Sequence, residues 1–138
     1  MNSQLTVYKA SAGSGKTFTL AKEYMTLVIE NPMVYRTILA VTFTNKATEE
    51  MKMRILSQLY GIAQGLEESN GYLEQIKIAL PHLSEEIIRK NAAEALRLLL
   101  HNYNYFRVQT IDTFFQGVLR NLARELDLTA NLRIGLND

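Results

Sequence analysis

Cysteine is absent from the 138 residues, which excludes disulfides and thiolate-held zinc. Such a chain suits a reducing compartment, and the cytoplasm is the expected location. Net charge is almost absent too: 15 Lys+Arg against 14 Asp+Glu leave a formal +1. No bulk field therefore draws the chain to nucleic acid or membrane, and any DNA contact must come from local placement of charge. No apolar run approaches the roughly 18 residues of a spanning helix, so no membrane partner is expected. Residues 1–9 lack a basic start followed by a long apolar core, so no signal peptide is expected. Repeats and low-complexity tracts are missing. So is any Ser/His/Asp set, and His82 and His101 stand far apart without metal-like companions. Both read as surface or capping residues. What remains, 47% hydrophobic and 21% charged residues, reads as one soluble domain with a real core.

The densest signal is Ala10-Ser11-Ala12-Gly13-Ser14-Gly15-Lys16-Thr17. A short run rich in β-formers, residues 5–9, precedes it, and an amphipathic run from Lys16 to about Glu30 follows. Strand, glycine-rich turn and helix make the setting of a phosphate-binding loop. Gly13 and Gly15 let backbone N–H groups curl around phosphate oxygens. The helix start adds its positive end. Lys16 supplies a compact cation for the β- and γ-phosphates, and Thr17 a hydroxyl for Mg²⁺. These two are the candidate catalytic pair of an ATP and Mg²⁺ site. Ala10 stands where the usual pattern opens with glycine. The plainer alternative is a Gly/Ser surface turn, which the Gly-Lys-Thr ending disfavours.

Residues 37–43 form a continuous apolar run of the buried parallel-strand kind. Thr44 or Asn45 then caps a helix to about Ala63, with Ala47, Met51, Ile55 and Leu59 inward. Strand, helix, strand, helix argues for a parallel sheet with right-handed crossovers. A loop over 65–71 and a short helix over 72–80 come next, stopped by Pro81. Ser84 caps a further helix with Ile88, Ala92, Ala95, Leu96 and Leu99 as its stripe. Residues 66–104 thus read as a helical insertion between strands. Residues 106–111 are a third strand. Asp112 or Thr113 caps a last helix with Phe115, Val118, Leu119, Leu122 and Leu126 on one face. Residues 132–134 could open one more strand.

Thr42-Phe43-Thr44-Asn45-Lys46-Ala47 lies at the carboxyl end of the buried strand, the edge where open parallel sheets bind ligands. Two readings stand. Asn45, Lys46 and free helix N–H groups hold backbone phosphates while an exposed Phe43 stacks on a base. Alternatively, Phe43 is core and Asn45 only a cap. Tyr103, Tyr105 and Phe106 are equally open, a stacking platform or core. Arg120 and Arg124 read as solvated charge.

Together, the loop at 10–17 and residues 38–51 with Arg54 resemble the start of a superfamily 1 helicase of the UvrD/Rep type. The resemblance implies an α/β fold: a P-loop NTPase (RecA-like) parallel sheet flanked by helices. It implies that residues 1–138 are the N-terminal part of motor domain 1A, an incomplete motor domain. It makes the loop motif I, the ATP site, and residues 42–47 motif Ia. Phe43, Thr44, Asn45 and Lys46 then lie along single-stranded DNA, with Glu49, Glu50, Met51 and Arg54 in the helix behind. The run Val108-Gln109-Thr110-Ile111-Asp112-Thr113-Phe114-Phe115 resembles motif Ib, adding Thr110, Asp112 and Phe114 to the DNA contacts. Asp112 there, after a long helical segment, is most similar to the RecB/AddA branch. That branch implies repair and recombination, an exonuclease activity, and partnership with a second helicase-nuclease subunit.

Three parts of such a motor are missing. No Asp-Glu pair follows an apolar strand, no arginine fingers are present, and Gln4 sits too close to the loop to serve as the adenine-reading glutamine. Without an acid to hold Mg²⁺ and orient water, phosphoryl transfer lacks essential parts. Asp112 follows a strand, but Thr113 stands where Glu is required. The chain by itself is therefore expected to be inactive. The competing reading is a P-loop nucleotide-binding module without catalysis.

Overall fold

The computed structural model describes Gln4–Val7 and residues 15–126, with side chains from residue 17 onward. The chain runs β1 (Gln4–Val7), α1 (Gly15–Glu30), β2 (Ile38–Thr42), α2 (Asn45–Gln64), α3 (Asn70–Ala79), α4 (Glu85–His101), β3 (Arg107–Thr110) and α5 (Ile111–Glu125). Short 3₁₀ turns occupy Pro32–Thr37, Glu67–Ser69 and Tyr103–Tyr105. The protein is mostly helical around a small parallel sheet of order β1-β2-β3. Gln4 pairs with Ile38 and Val7 with Val41; Leu39 pairs with Arg107 and Thr42 with Thr110.

The predicted stripes meet in one core. Leu20, Ala21, Tyr24 and Val28 of α1 are buried beside Met51, Ile55 and Leu59 of α2, and Leu27 is partly buried there. Ile38, Ala40 and Val108 join them from the sheet. Leu39 and Val41 alternate with these, as the two-residue period of a strand requires. α4 has α2, α1 and the turn at Pro32–Thr37 as its main neighbours.

Polar side chains of α4 also close both neighbouring helices. Asn91 Nδ2 donates to the Ile29 carbonyl at 2.7 Å, and Arg89 Nη1 to the Ile62 carbonyl at 2.7 Å. Those carbonyls belong to the last turns of α1 and α2, where the i→i+4 donors run out; the Ile62 carbonyl also accepts from the Gly65 N–H of the cap at 3.3 Å. The Arg89 cation also meets the negative end of the α2 dipole.

Several local boundaries differ from the sequence expectation. Thr44, not Asn45, caps α2: its Oγ1 accepts from the Ala47 N–H at 3.0 Å. Thr110, not Asp112 or Thr113, caps α5, accepting from the Thr113 N–H at 3.3 Å. The last strand residue is still extended, so its hydroxyl reaches the third helical N–H, and Asp112 falls in the first turn. The expected loop over 65–71 is mostly helical turn. Gly65 takes the left-handed conformation (φ 76°) that ends α2. The chain then folds back so closely that a Cβ on Gly61 would collide with the Ser69 hydroxyl. α3 starts at Asn70 rather than at residue 72. Phe106 is core, whereas Tyr103 and Tyr105 are exposed. The apolar face of α5 is exposed as well. The strand considered at 132–134 lies outside the described residues.

Candidate nucleotide and DNA edge

Parallel pairing puts the carboxyl ends of all three strands on one edge, with Val7 beside Val41 and Thr42 beside Thr110. From this edge the chain leaves β1 toward α1, β2 toward α2, and β3 into α5. The blocks that follow β2 and β3 therefore emerge together, on the edge where β1 also ends. Ala10, Ser11, Ala12, Gly13 and Ser14 lie outside the described residues. Gly15 and Lys16 form the first turn of α1, and Thr17 in that turn is buried. The start of a 16-residue helix at this edge brings backbone N–H groups and a positive dipole end to it.

Phe43, Thr44, Asn45 and Lys46 are all exposed, whereas Ala47 and Thr48 directly after them are buried. Phe43 is 48% exposed, so it is not a core residue. Thr44 is committed to capping, which leaves Asn45 and Lys46 with outward-facing polar groups. Across the edge, Thr110 and Phe114 are half-buried and Asp112 is exposed. Phe114 lies 5.7 Å from the Phe115 ring, centroid to centroid, in a tilted arrangement. The Thr110 hydroxyl also lies 3.0 Å from that of Thr113.

A buried hydroxyl pair ties the edge together. Thr42 Oγ1 and Thr48 Oγ1 are 2.6 Å apart, one donating to the other. The Thr42 hydroxyl also lies 3.3 Å from the Thr44 carbonyl and 3.4 Å from the Gln109 carbonyl. It thus bridges the turn before α2 and strand β3. Elsewhere, Phe18 of α1 stacks on Tyr72 of α3 at 4.1 Å, and Arg54 Nη1 donates to Tyr72 Oη at 3.4 Å. Sequence reasoning singles out neither arrangement. The first has a signal: Thr42 ends the apolar strand and Thr48 sits four residues after the cap, on the inner face of α2. The second has none, because residue 72 is remote from both partners along the chain. Met51 is buried in the helix behind the edge, as expected. No group of three or more potential His, Asp or Glu metal ligands occurs among the described residues. No helix among them is long and apolar enough to cross a membrane.

Known proteins resemble this chain in sequence. The model of the UvrD/REP helicase N-terminal domain matches residues 1–136. An ATP-dependent helicase/nuclease subunit of Thermoanaerobacter sp. (strain X514) is 35% identical over 128 residues, covering 91% of this chain and 8% of that protein. The same-named subunit of Bacillus cytotoxicus is 35% identical over 127 residues, covering 91% and 8%. The RecBCD enzyme subunit RecB of Haemophilus influenzae is 28% identical over 145 residues, covering 95% and 12%. The chain spans about a tenth of the length of these relatives. No solved structure matches. With a family model covering nearly every residue and relatives that are helicase-nuclease subunits, the chain belongs to the UvrD/REP helicase N-terminal domain family.

Proposed function

We propose that this chain is the ATP-binding part of motor domain 1A of an ATP-dependent DNA helicase-nuclease. In this reading the parallel sheet belongs to a RecA-like P-loop fold, with residues 66–104 as a helical insertion. The parent protein acts on single-stranded DNA in cytoplasmic repair or recombination, beside a second subunit. The observation that carries the reading is the shared edge. Strand register brings the carboxyl ends of β1, β2 and β3 to one side of the sheet, where the exposed run Phe43–Lys46 and the start of α5 directly follow β2 and β3.

The chemistry follows from the residues at that edge. Residues 10–15 wrap the phosphates with backbone N–H groups, and Lys16 neutralises the β- and γ-oxygens. The hydroxyl of Thr17, in the first turn of α1, suits Mg²⁺, a hard cation that takes few protein ligands and keeps its waters. Mg-ATP, held by these residues, would supply free energy only on hydrolysis to ADP and phosphate by the complete motor. Phe43 offers a ring to a base, while Asn45 and Lys46 hold the sugar-phosphate backbone; Thr110, Asp112 and Phe114 continue the path. The Thr42–Thr48 pair fixes the first of these segments against β3. This chain carries no Asp-Glu pair after an apolar strand, so alone it holds nucleotide without turning it over.

Titration with a fluorescent ATP analogue and Mg²⁺ tests the assignment. The Lys16→Ala variant should lose nucleotide affinity by about a hundredfold, the order of two charge-assisted contacts. Unchanged affinity would sink the nucleotide site.

A further inference from the structure

The opposite edge of the sheet, where the strands begin, carries a second cluster. Two 3₁₀ turns meet there, Pro32–Thr37 before β2 and Tyr103–Tyr105 before β3. The pairing of Leu39 with Arg107 sets them side by side. Phe106 fills the core beneath, yet Tyr103 and Tyr105 stay 46% and 37% exposed.

Each exposed ring is accompanied by a cation. The Arg36 guanidinium sits 4.7 Å from the centroid of Tyr105 and 5.7 Å from that of Tyr35. Its Nε donates to Tyr35 Oη at 3.1 Å, and Tyr35 meets Tyr105 edge-on at 6.4 Å. Lys52 Nζ sits 5.0 Å from the Tyr103 ring and 5.9 Å from Phe106. Arg107, directly after, is exposed. Among the described residues no carboxylate pairs with Arg36, Lys52 or Arg107. Nearby Glu94 is already held by Arg97 through two hydrogen bonds of 3.0 and 2.6 Å.

We propose that this edge binds single-stranded nucleic acid, with bases stacking on Tyr103 and Tyr105 and phosphates meeting Arg36, Lys52 and Arg107. Positive charge without neutralising acids, interleaved with exposed aromatic faces, is what sequence-tolerant strand binding requires. An acidic peptide would use the cations but not the rings. A duplex keeps its bases stacked and out of reach of side-chain rings. The site is distinct from Phe43–Lys46, which lies at the other end of the strands, about 15 Å away for strands of four to five residues. It does not depend on nucleotide binding at residues 10–17.

The test uses the 138-residue chain and a fluorescein-labelled 15-mer of dT at low salt, read by anisotropy without nucleotide. Tyr103→Ala with Tyr105→Ala should weaken binding about tenfold or more, the order of one or two lost stacks. Tyr103→Phe with Tyr105→Phe should stay within about twofold, because the ring faces remain. Arg36→Gln and Lys52→Gln should each flatten the dependence of affinity on salt by about one released counterion. Photo-crosslinking of the wild-type chain to a bromodeoxyuridine 15-mer needs no variant and should mark residues 103–107. Crosslinks confined to 43–46 and 110–114, or wild-type affinity in the double Ala variant, would overturn the proposal. So would equal or tighter binding of a 15-base-pair duplex.

Discussion

Helices α4 and α5 are written in nearly the same local code and end in opposite environments. Each follows a hydroxyl cap, Ser84 or Thr110, and carries acid in its first turn and a basic residue in its last. Each has an apolar stripe at helical spacing. In α4, Ile88, Ala92, Ala95 and Leu99 are all fully buried. In α5, Phe115, Val118, Leu119, Leu122 and Leu126 are 42–56% exposed. The difference lies in neighbours. α4 is packed by α1, α2 and a 3₁₀ turn, whereas the main contacts of α5 are with β3 and β2. Amphipathicity therefore states that a face gains by being covered, not that this chain covers it.

The largest expected consequence is in core truncation. Leu99→Ala should lower the unfolding free energy by about 2–5 kcal/mol, through lost transfer energy and a residual cavity. Leu119→Ala or Leu122→Ala should cost under about 1 kcal/mol, because those side chains leave little water behind on folding. Urea titrations of the three variants decide it; equal costs would abolish the contrast between the helices.

A smaller effect sharpens the α4 side. Tyr24 faces Phe106 at 5.5 Å, and its buried hydroxyl has no hydrogen-bond partner. Burial disfavours the phenolate and pushes the Tyr24 hydroxyl well above the usual tyrosine range. The unfolded chain ionises near pH 10 while the folded one stays neutral, so the unfolded state binds fewer protons and stability falls as pH rises from about 10. Tyr24→Phe should raise stability at pH 7 by about 1 kcal/mol and lessen the alkaline decline. A Phe variant that is less stable at pH 7 would mean the hydroxyl is satisfied.

The smallest effect separates the caps. Ser84→Ala should cost about 1 kcal/mol of global stability, since α4 is integral to the core. Thr110→Ala should cost a similar amount locally but show chiefly as faster hydrogen exchange in α5, with little shift of the urea midpoint. A midpoint shift equal to that of Ser84→Ala would place α5 in the same cooperative unit as α4.

Much of the fold is legible along the chain because its signals are local. The apolar run at 37–43 predicts β2, four-residue spacing predicts the buried face of α2, and Ser84 caps α4 as its position before an acidic first turn implies. The alternation of elements predicts the parallel sheet. The differences concern events decided a few residues away. Choosing among Thr110, Asp112 and Thr113 as cap depends on where β3 stops, and β3 stops where Thr42 runs out of pairing. The choice between core and surface for Tyr103, Tyr105 and Phe106 depends on distant partners: Phe106 is buried against Tyr24 of α1, while Tyr103 and Tyr105 stay exposed.

Of the candidate site, residue types and order are readable along the chain: a phosphate-loop pattern before a helix, and an aromatic-polar run after a strand. Spacing and amphipathic period are enough, because a turn, a cap or a helical face involves residues within one or two turns. Which blocks share an edge, that Phe43 is exposed, that Thr42 clasps Thr48, and that α4 is covered while α5 is not were decided only by tertiary structure. Each depends on groups distant in sequence brought together by strand register and core packing, and no local pattern encodes the neighbour that arrives.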